Sequence, residues 1–374
     1  MASHKIKWSW KFARIAGIDI HVHLTFFLIL LWIGLSVWQQ TADPSAVVQG
    51  IGFVLILFTC VVMHEFGHAL TARRFGIKTQ RITLLPIGGV ASMEKMPDDP
   101  KQEILVALAG PCVNMVIASL IWLYLSLSQT PIPVLDDDPG MLLSNGGHLL
   151  YNIMYINIIL GVFNLVPAFP MDGGRVLRAV LALTMPHHKA TEKAAAIGQM
   201  FAIIMFAAGL LYNPFLILIS AFIWLAAAGE AGAEKLEYSL RGVSAKDLML
   251  SSFETLHDHD TLSKAVDLSI HSGQRHFPVK AAGGKLKVLD HQMLLASVRE
   301  HGESLPLSAL VLPTLPCVEP HADAQGLLKN LHSGKAVLFG VTQNHALAGL
   351  ISVDEVLEWL SFHQGEETKK KRSF

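Results

Sequence analysis

His64 and His68 stand four residues apart with Glu65 between them, in the run Met63-His64-Glu65-Phe66-Gly67-His68. Residues four apart share one face of an α-helix, so both imidazoles can reach a single zinc ion. Glu65 then lies beside the open coordination position, where a carboxylate can take a proton from water. The pentad closes a long apolar run that begins near Val47. Ionisable groups in such surroundings are costly and point to function. A chance pentad would need unrelated partners for three polar side chains inside lipid. Cys60, one turn before His64, has two readings, a side chain facing the metal or a small packing residue.

A catalytic zinc site keeps three protein ligands and one position for water, so the pentad lacks a donor. The stretch Asn164-Leu165-Val166-Pro167-Ala168-Phe169-Pro170-Met171-Asp172-Gly173-Gly174-Arg175 offers one. Pro167 and Pro170 cannot sit inside an ordinary helix, so a helix should break there and expose backbone at membrane depth. Asp172 follows directly, as the third ligand, and Gly173-Gly174 permit a tight turn that aims it.

The elements that must hold these groups are largely apolar. In 374 residues, 52% are hydrophobic and mean hydropathy is +0.43. That length allows two or three domains. The net charge of −1 gives no reason to expect a nucleic-acid partner, and Cys60, Cys112 and Cys317 form neither a disulfide framework nor a CxxC site. Six candidate membrane spans, each near the ~20 residues required, fall at about 24–39, 48–70, 102–126, 147–169, 194–211 and 213–229. The segments 39–47, 127–146 and 211–213 hold no Lys or Arg, and the second carries Asp136-Asp137-Asp138. The alternate segments hold Lys5, Lys7, Lys11 and Arg14, then Arg73, Arg74, Lys78, Arg81, Lys95 and Lys101, then Arg175, Arg178, Lys189 and Lys193. The positive-inside rule makes these cytoplasmic, with both termini, and puts the pentad near the cytoplasmic end of its span.

Several other residues carry two readings. Ile82 to Ala91, containing Gly88-Gly89, is either a short hairpin whose edge could pair with an extended substrate or a surface loop. His21 and His23 form a strand beside the site or pack at the interface. Asn114, in Gly110-Pro111-Cys112-Val113-Asn114, needs an inward partner on a helix that packs closely. His187-His188 read as solvated polar residues.

The pentad together with Asn164 to Gly173 resembles the site-2 protease family of intramembrane zinc metalloproteases, peptidase family M50, over most of residues 15 to 230. The resemblance implies one Zn2+ held by His64, His68 and Asp172, with Glu65 as the catalytic carboxylate. It implies that Asn164 helps hold the scissile carbonyl or the oxyanion, and that the Gly88-Gly89 region forms membrane-embedded strands.

The C-terminal half changes composition after Glu230 and repeats at an offset of about 61–62 residues, Leu256–Leu262 matching Val318–Ala324 and His271-Ser272-Gly273 matching His332-Ser333-Gly334. Each copy reads as strand, helix, strand, strand, helix. This is similar to a CBS pair, the branch of the family with such a pair at its C-terminus. The similarity implies an adenine nucleotide (ATP or AMP) at Ser352 and Glu355, although Glu355 stands where Asp is usual, or a structural pair that dimerises the chain.

The expected architecture is therefore a polytopic α-helical membrane domain with short embedded strands (1–230), a linker (231–242), an α/β CBS pair (243–362) and a basic tail (363–374) containing Lys369 to Arg372. The expected function is intramembrane cleavage of a membrane-anchored protein, such as an anti-sigma factor or a tethered precursor, regulated by the CBS pair. The expected location is a bacterial or archaeal cytoplasmic (inner) membrane. A CBS-regulated ion transporter or channel is the alternative. The gathering of acidic groups at one level with zincin spacing favours the protease.

Overall fold

The computed structural model describes residues 8–86, 88–93, 97, 99–129, 146–334, 336–344 and 346–372. Lys5, Lys7, Lys95 and Asp136 to Asp138 lie outside them, as do the side chains of Lys369 to Arg372. The chain divides into two compact units, Met1–Glu234 and Lys235–Phe374.

The first unit opens with an antiparallel hairpin, β1 (Ser9–Ile15) and β2 (Ile18–His23). α1 (Leu24–Thr41) follows at once, its N-terminus closed by His23, whose Nδ1 accepts from the Thr25 backbone N–H at 3.3 Å. α2 (Pro44–Arg74) starts at Asp43, which accepts from the Ser45 N–H at 2.9 Å, with proline in the first turn where its missing N–H costs nothing. Its 31 residues extend about 46 Å, more than a ~30 Å hydrocarbon core. β3 (Thr79–Leu85) then returns alongside β2 in parallel, and β4 (Gly88–Met93) pairs with β3 antiparallel. The sheet order is β1-β2-β3-β4, so β4 is an edge. Of the two readings above, the hairpin is the one found, and His21 and His23 both lie in β2. Ile18, Ala69 and Ile82 form a buried cluster that seats the sheet on α2.

α3 (Pro100–Leu127) packs against α2, α4 (Gly146–Asn164) and α5 (Asp172–Ala182). α6 (His187–Leu211) and α7 (Phe215–Ser239), the latter as far as Glu234, complete the unit. Among the described residues five helices, α1, α2, α3, α6 and α7, are long and apolar enough to cross a membrane. The expected span 147–169 stops earlier, since α4 ends at Asn164. The cause is the expected one, since Pro167 and Pro170 supply no N–H to continue the ladder. Large apolar side chains such as Trp32, Trp122, Ile204 and Leu218 are exposed on these helices, as a lipid-facing surface requires.

A buried ionic cluster ties α5 to its neighbours. Arg178 donates to Glu103 of α3 (Nε to Oε1, 2.7 Å) and to Glu230 of α7 (2.9 Å). His187, at the start of α6, reaches Glu103 at 3.4 Å and Glu234 at 3.1 Å. The Arg178 guanidinium also lies 5.4 Å from the centre of the Phe169 ring. His187 is thus half-buried and paired rather than solvated, because the acidic groups of α3 and α7 converge on it. Residues 231–239, expected as linker, continue α7; their Ala, Glu and Lys are strong helix formers. The backbone of the basic tail likewise continues a helix to Arg372.

The second unit is an internal repeat. β5 (Leu256–His257), α9 (Leu262–Ser272), β6 (His276–Lys280), β7 (Leu286–Asp290) and α10 (His291–His301) form one copy. β8 (Cys317–Val318), α11 (Ala324–His332), β9 (Phe339–Gln343), β10 (Ala346–Ile351) and α12 (Val353–Arg372) form the other. In both sheets the two-residue strand lies parallel to the middle strand and the third antiparallel to it. The copies exchange their leading segments. Ala245 and Leu248, of the short helix α8 (Ala245–Leu248), pack with Ala324, Leu327 and Val356, whereas Leu307 and Leu312 pack with Leu256, Phe277 and Leu289.

Candidate metal centre

The pentad lies on the buried face of α2. His64 and His68 present Nε2 atoms 3.0 Å apart. Asp172, the first residue of α5, brings Oδ2 to 3.1 Å from each. All three residues are buried, and among the described residues no other three His, Cys, Asp or Glu side chains converge in this way. His68 Nδ1 donates to the Val106 carbonyl at 2.7 Å. A carbonyl only accepts, so the hydrogen of this ring is on Nδ1 and its Nε2 offers a lone pair. On the far side of His64, Nδ1 meets Asn114 Oδ1, and Asn114 Nδ2 donates to Asn157 Oδ1 at 2.8 Å. Acceptor atoms converging inside apolar helices, with outer ring nitrogens held by neighbours, fit a bound cation. The donor set of two imidazoles and one carboxylate suits zinc.

Space for the ion depends on Gly110 of α3. A Cβ there would lie 2.2 Å from His68 Nε2 and 2.6 Å from His64 Nε2. On the other side of α2, a Cβ on Gly89 would lie 2.8 Å from Glu65 Cγ, so the edge strand β4 runs against the pentad's carboxylate.

Asp172 reaches the imidazoles because residues 165–171 fold back between α4 and α5. The Met171 N–H donates to the Ala168 carbonyl at 3.0 Å, closing the turn. Gly173 and Gly174 serve differently from the expectation. They lie inside α5, and a Cβ on Gly173 would fall 2.3 Å from the Leu165 carbonyl oxygen, so glycine is needed for close approach rather than for a turn. Arg175 lies 3.8 Å from Asp172 Oδ1.

The other singled-out residues are placed as follows. Asn164 ends α4, and its Nδ2 donates to Leu160 O at 3.0 Å on its own helix. Cys60 is buried and stands 3.4 Å from Asn157 Nδ2, outside the converging trio. Ser352 and Glu355 close the start of α12: the Ser352 N–H donates to Glu355 Oε2 at 2.6 Å, and its hydroxyl donates to the same oxygen. A cavity of about 430 Å3 in the second unit is lined by Phe253, Glu254, Arg275 and His276 of one copy and Asp354 and Glu355 of the other. Asn157 belongs to no motif. Its signal is an amide in the middle of an apolar helix, where an unpaired polar group is costly.

A zinc-type donor set beside a carboxylate, inside helices that cross a membrane, defines a membrane-embedded metallopeptidase. The family model for peptidase family M50 matches residues 52–136 and 130–209. A zinc metalloprotease of Methanocaldococcus jannaschii is 32% identical over 98% of this chain and 100% of its own. The chain belongs to peptidase family M50 and is a zinc metalloendopeptidase of the site-2 protease type. Among solved structures, the site-2 protease from Methanocaldococcus jannaschii matches 60% of this chain and 95% of its own at 38% identity, with a TM-score of 0.43. A CBS-domain hemolysin-like protein of Oenococcus oeni matches 34% of this chain and 96% of its own at 15% identity, with a TM-score of 0.30.

Proposed function

We propose that His64, His68 and Asp172 hold one catalytic zinc and that the chain cleaves membrane-anchored proteins within or near their transmembrane segments. The observation that carries this is the approach of Asp172 Oδ2 to 3.1 Å from both imidazoles across more than a hundred residues of chain. When bound, zinc supplies Lewis acidity toward a peptide carbonyl and toward water. Glu65 takes the proton of the attacking water as its oxygen bonds to the carbonyl carbon, then delivers a proton to the amine as the C–N bond breaks. The substrate, unwound locally, pairs as an extended segment with the free edge of β4, which runs beside Glu65. Asn164 helps hold the carbonyl oxygen once its amide leaves Leu160 O; its place at the end of α4, next to the loop that delivers Asp172, supports this role.

Both termini face the cytoplasm, in a bacterial or archaeal cytoplasmic membrane, and an anti-sigma factor or a tethered precursor is the substrate class. The repeated unit regulates cleavage by taking an adenine nucleotide in its cavity, whose volume suits a small ligand, and can pair two copies of the chain. Ser352 contributes to that unit as a helix cap.

Reconstituted cleavage of a membrane-tethered substrate tests the core of the proposal. The native chain should cut, a chelator should stop it, and Glu65→Gln should be inactive while retaining zinc. Undiminished cleavage by Glu65→Gln removes the mechanism. ATP titration by calorimetry tests the cavity, and absence of heat at millimolar nucleotide removes the regulatory role.

A further inference from the structure

We propose that Asn157 is a positioning residue for the metal centre, fixing the direction of the Asn114 amide and, through it, which nitrogen of His64 carries the hydrogen. The inference rests on the zinc reading above.

The oxygen and nitrogen ends of an amide have nearly the same shape, so packing cannot select between them; hydrogen bonds must. The Ile153 carbonyl can only accept, and Asn157 faces it at 2.8 Å, so the group presented there is the NH2. Asn157 Oδ1 therefore turns to Asn114, at 2.8 Å, where it can only accept. Asn114 must then present its own NH2 to Asn157 and its oxygen to His64. That oxygen also only accepts, so His64 Nδ1 carries the hydrogen and Nε2 keeps the lone pair directed at His68 and Asp172. A backbone carbonyl of α4 thus determines the state of a metal ligand on α2.

The weak acceptor Cys60 Sγ, 3.4 Å from the same Asn157 nitrogen, reinforces this direction. Asn114 and Asn157 are each 0% exposed, so no water competes for their amides. With Asn157 absent, Asn114 is free to reverse and offer its NH2 to His64 Nδ1. The hydrogen would then have to sit on Nε2, the atom the ion needs.

The test measures zinc affinity of the full chain in detergent by competition with a chromophoric chelator. Asn157→Leu should weaken zinc on the order of 10–100-fold, as loss of outer-sphere support does. Asn114→Leu provides the control, because it leaves no amide between Asn157 and His64 whose direction could matter. In that background Asn157→Leu should change affinity by less than about threefold. An equal loss in both backgrounds, or no loss in either, overturns the proposal. Asn157→Ala gives the same contrast without added bulk should the leucine variant misfold. A native chain that binds no zinc, or a His64→Ala variant with native affinity, overturns the metal reading itself and this inference with it.

Discussion

Asp172 and Glu355 each occupy the first turn of a helix, α5 in the apolar unit and α12 in the repeated unit. Negative charge is favoured at both places by the helix dipole, yet the two carboxylates do opposite things. Glu355 folds back and accepts from the N–H and hydroxyl of Ser352. Asp172 follows Met171, which makes no side-chain cap, and its Oδ2 is turned toward two imidazoles on another helix. These two first-turn acids are told apart by position and by what precedes them, Glu355 being third in its helix behind Ser352 and Asp172 first in its own behind Met171. Where a cap donor lies three residues back, the acid is used locally. Where none does, it is available for chemistry.

The largest test of that contrast is chemical. Asp172→Asn should release zinc and lower cleavage by about 10²–10⁴-fold, and Glu65→Gln should lower cleavage similarly with zinc retained. Metal content measured beside cleavage rate separates the two. Next in size is the ionic cluster that anchors α5. Arg178→Met leaves Glu103, 0% exposed, without its guanidinium, and should cost about 3–5 kcal/mol, read by thermal unfolding in detergent. Adding Glu103→Met should recover much of that loss, since an apolar pair has no buried charge to satisfy.

Smaller effects belong to the repeated unit. Ser352→Ala should destabilise it by about 1 kcal/mol through loss of the cap, while changing ATP affinity by less than about threefold. A large loss of nucleotide affinity would show the contrast with Asp172 to be wrong. The smallest effect concerns Asp247. The Ser244 hydroxyl and backbone N–H donate to it and hold its carboxyl below the usual carboxylate range. Its contribution is therefore present at neutral pH and fades as acid takes the pH through the lowered value. The group is exposed, so Asp247→Asn should cost under ~1 kcal/mol at neutral pH, and nothing once both states are protonated.

Much of this arrangement is legible in the chain because it rests on local rules. The spacing of His64 and His68 gives one helix face, Pro167 and Pro170 end α4, and the repeat gives the two small sheets. What the sequence hides is pairing between distant residues. Arg178 reads as one more cytoplasmic cation, yet it is buried between Glu103 and Glu230 and reports little about charge at the surface. Asn157 carries no spacing signal, and its importance appears only once α2, α3 and α4 are side by side. The exchange of leading segments between the repeat copies is likewise invisible to a pattern that aligns each copy with itself.

Gly110 gives the centre an unusual vulnerability. One added methyl group would occupy the room between the imidazoles and α3, leaving the proposed ligands and the proposed general base in place along the chain. A protein altered in that way would still satisfy any motif search for a peptidase while being unable to load its ion. Inactive relatives should therefore be sought at this glycine as well as among the residues that do the chemistry.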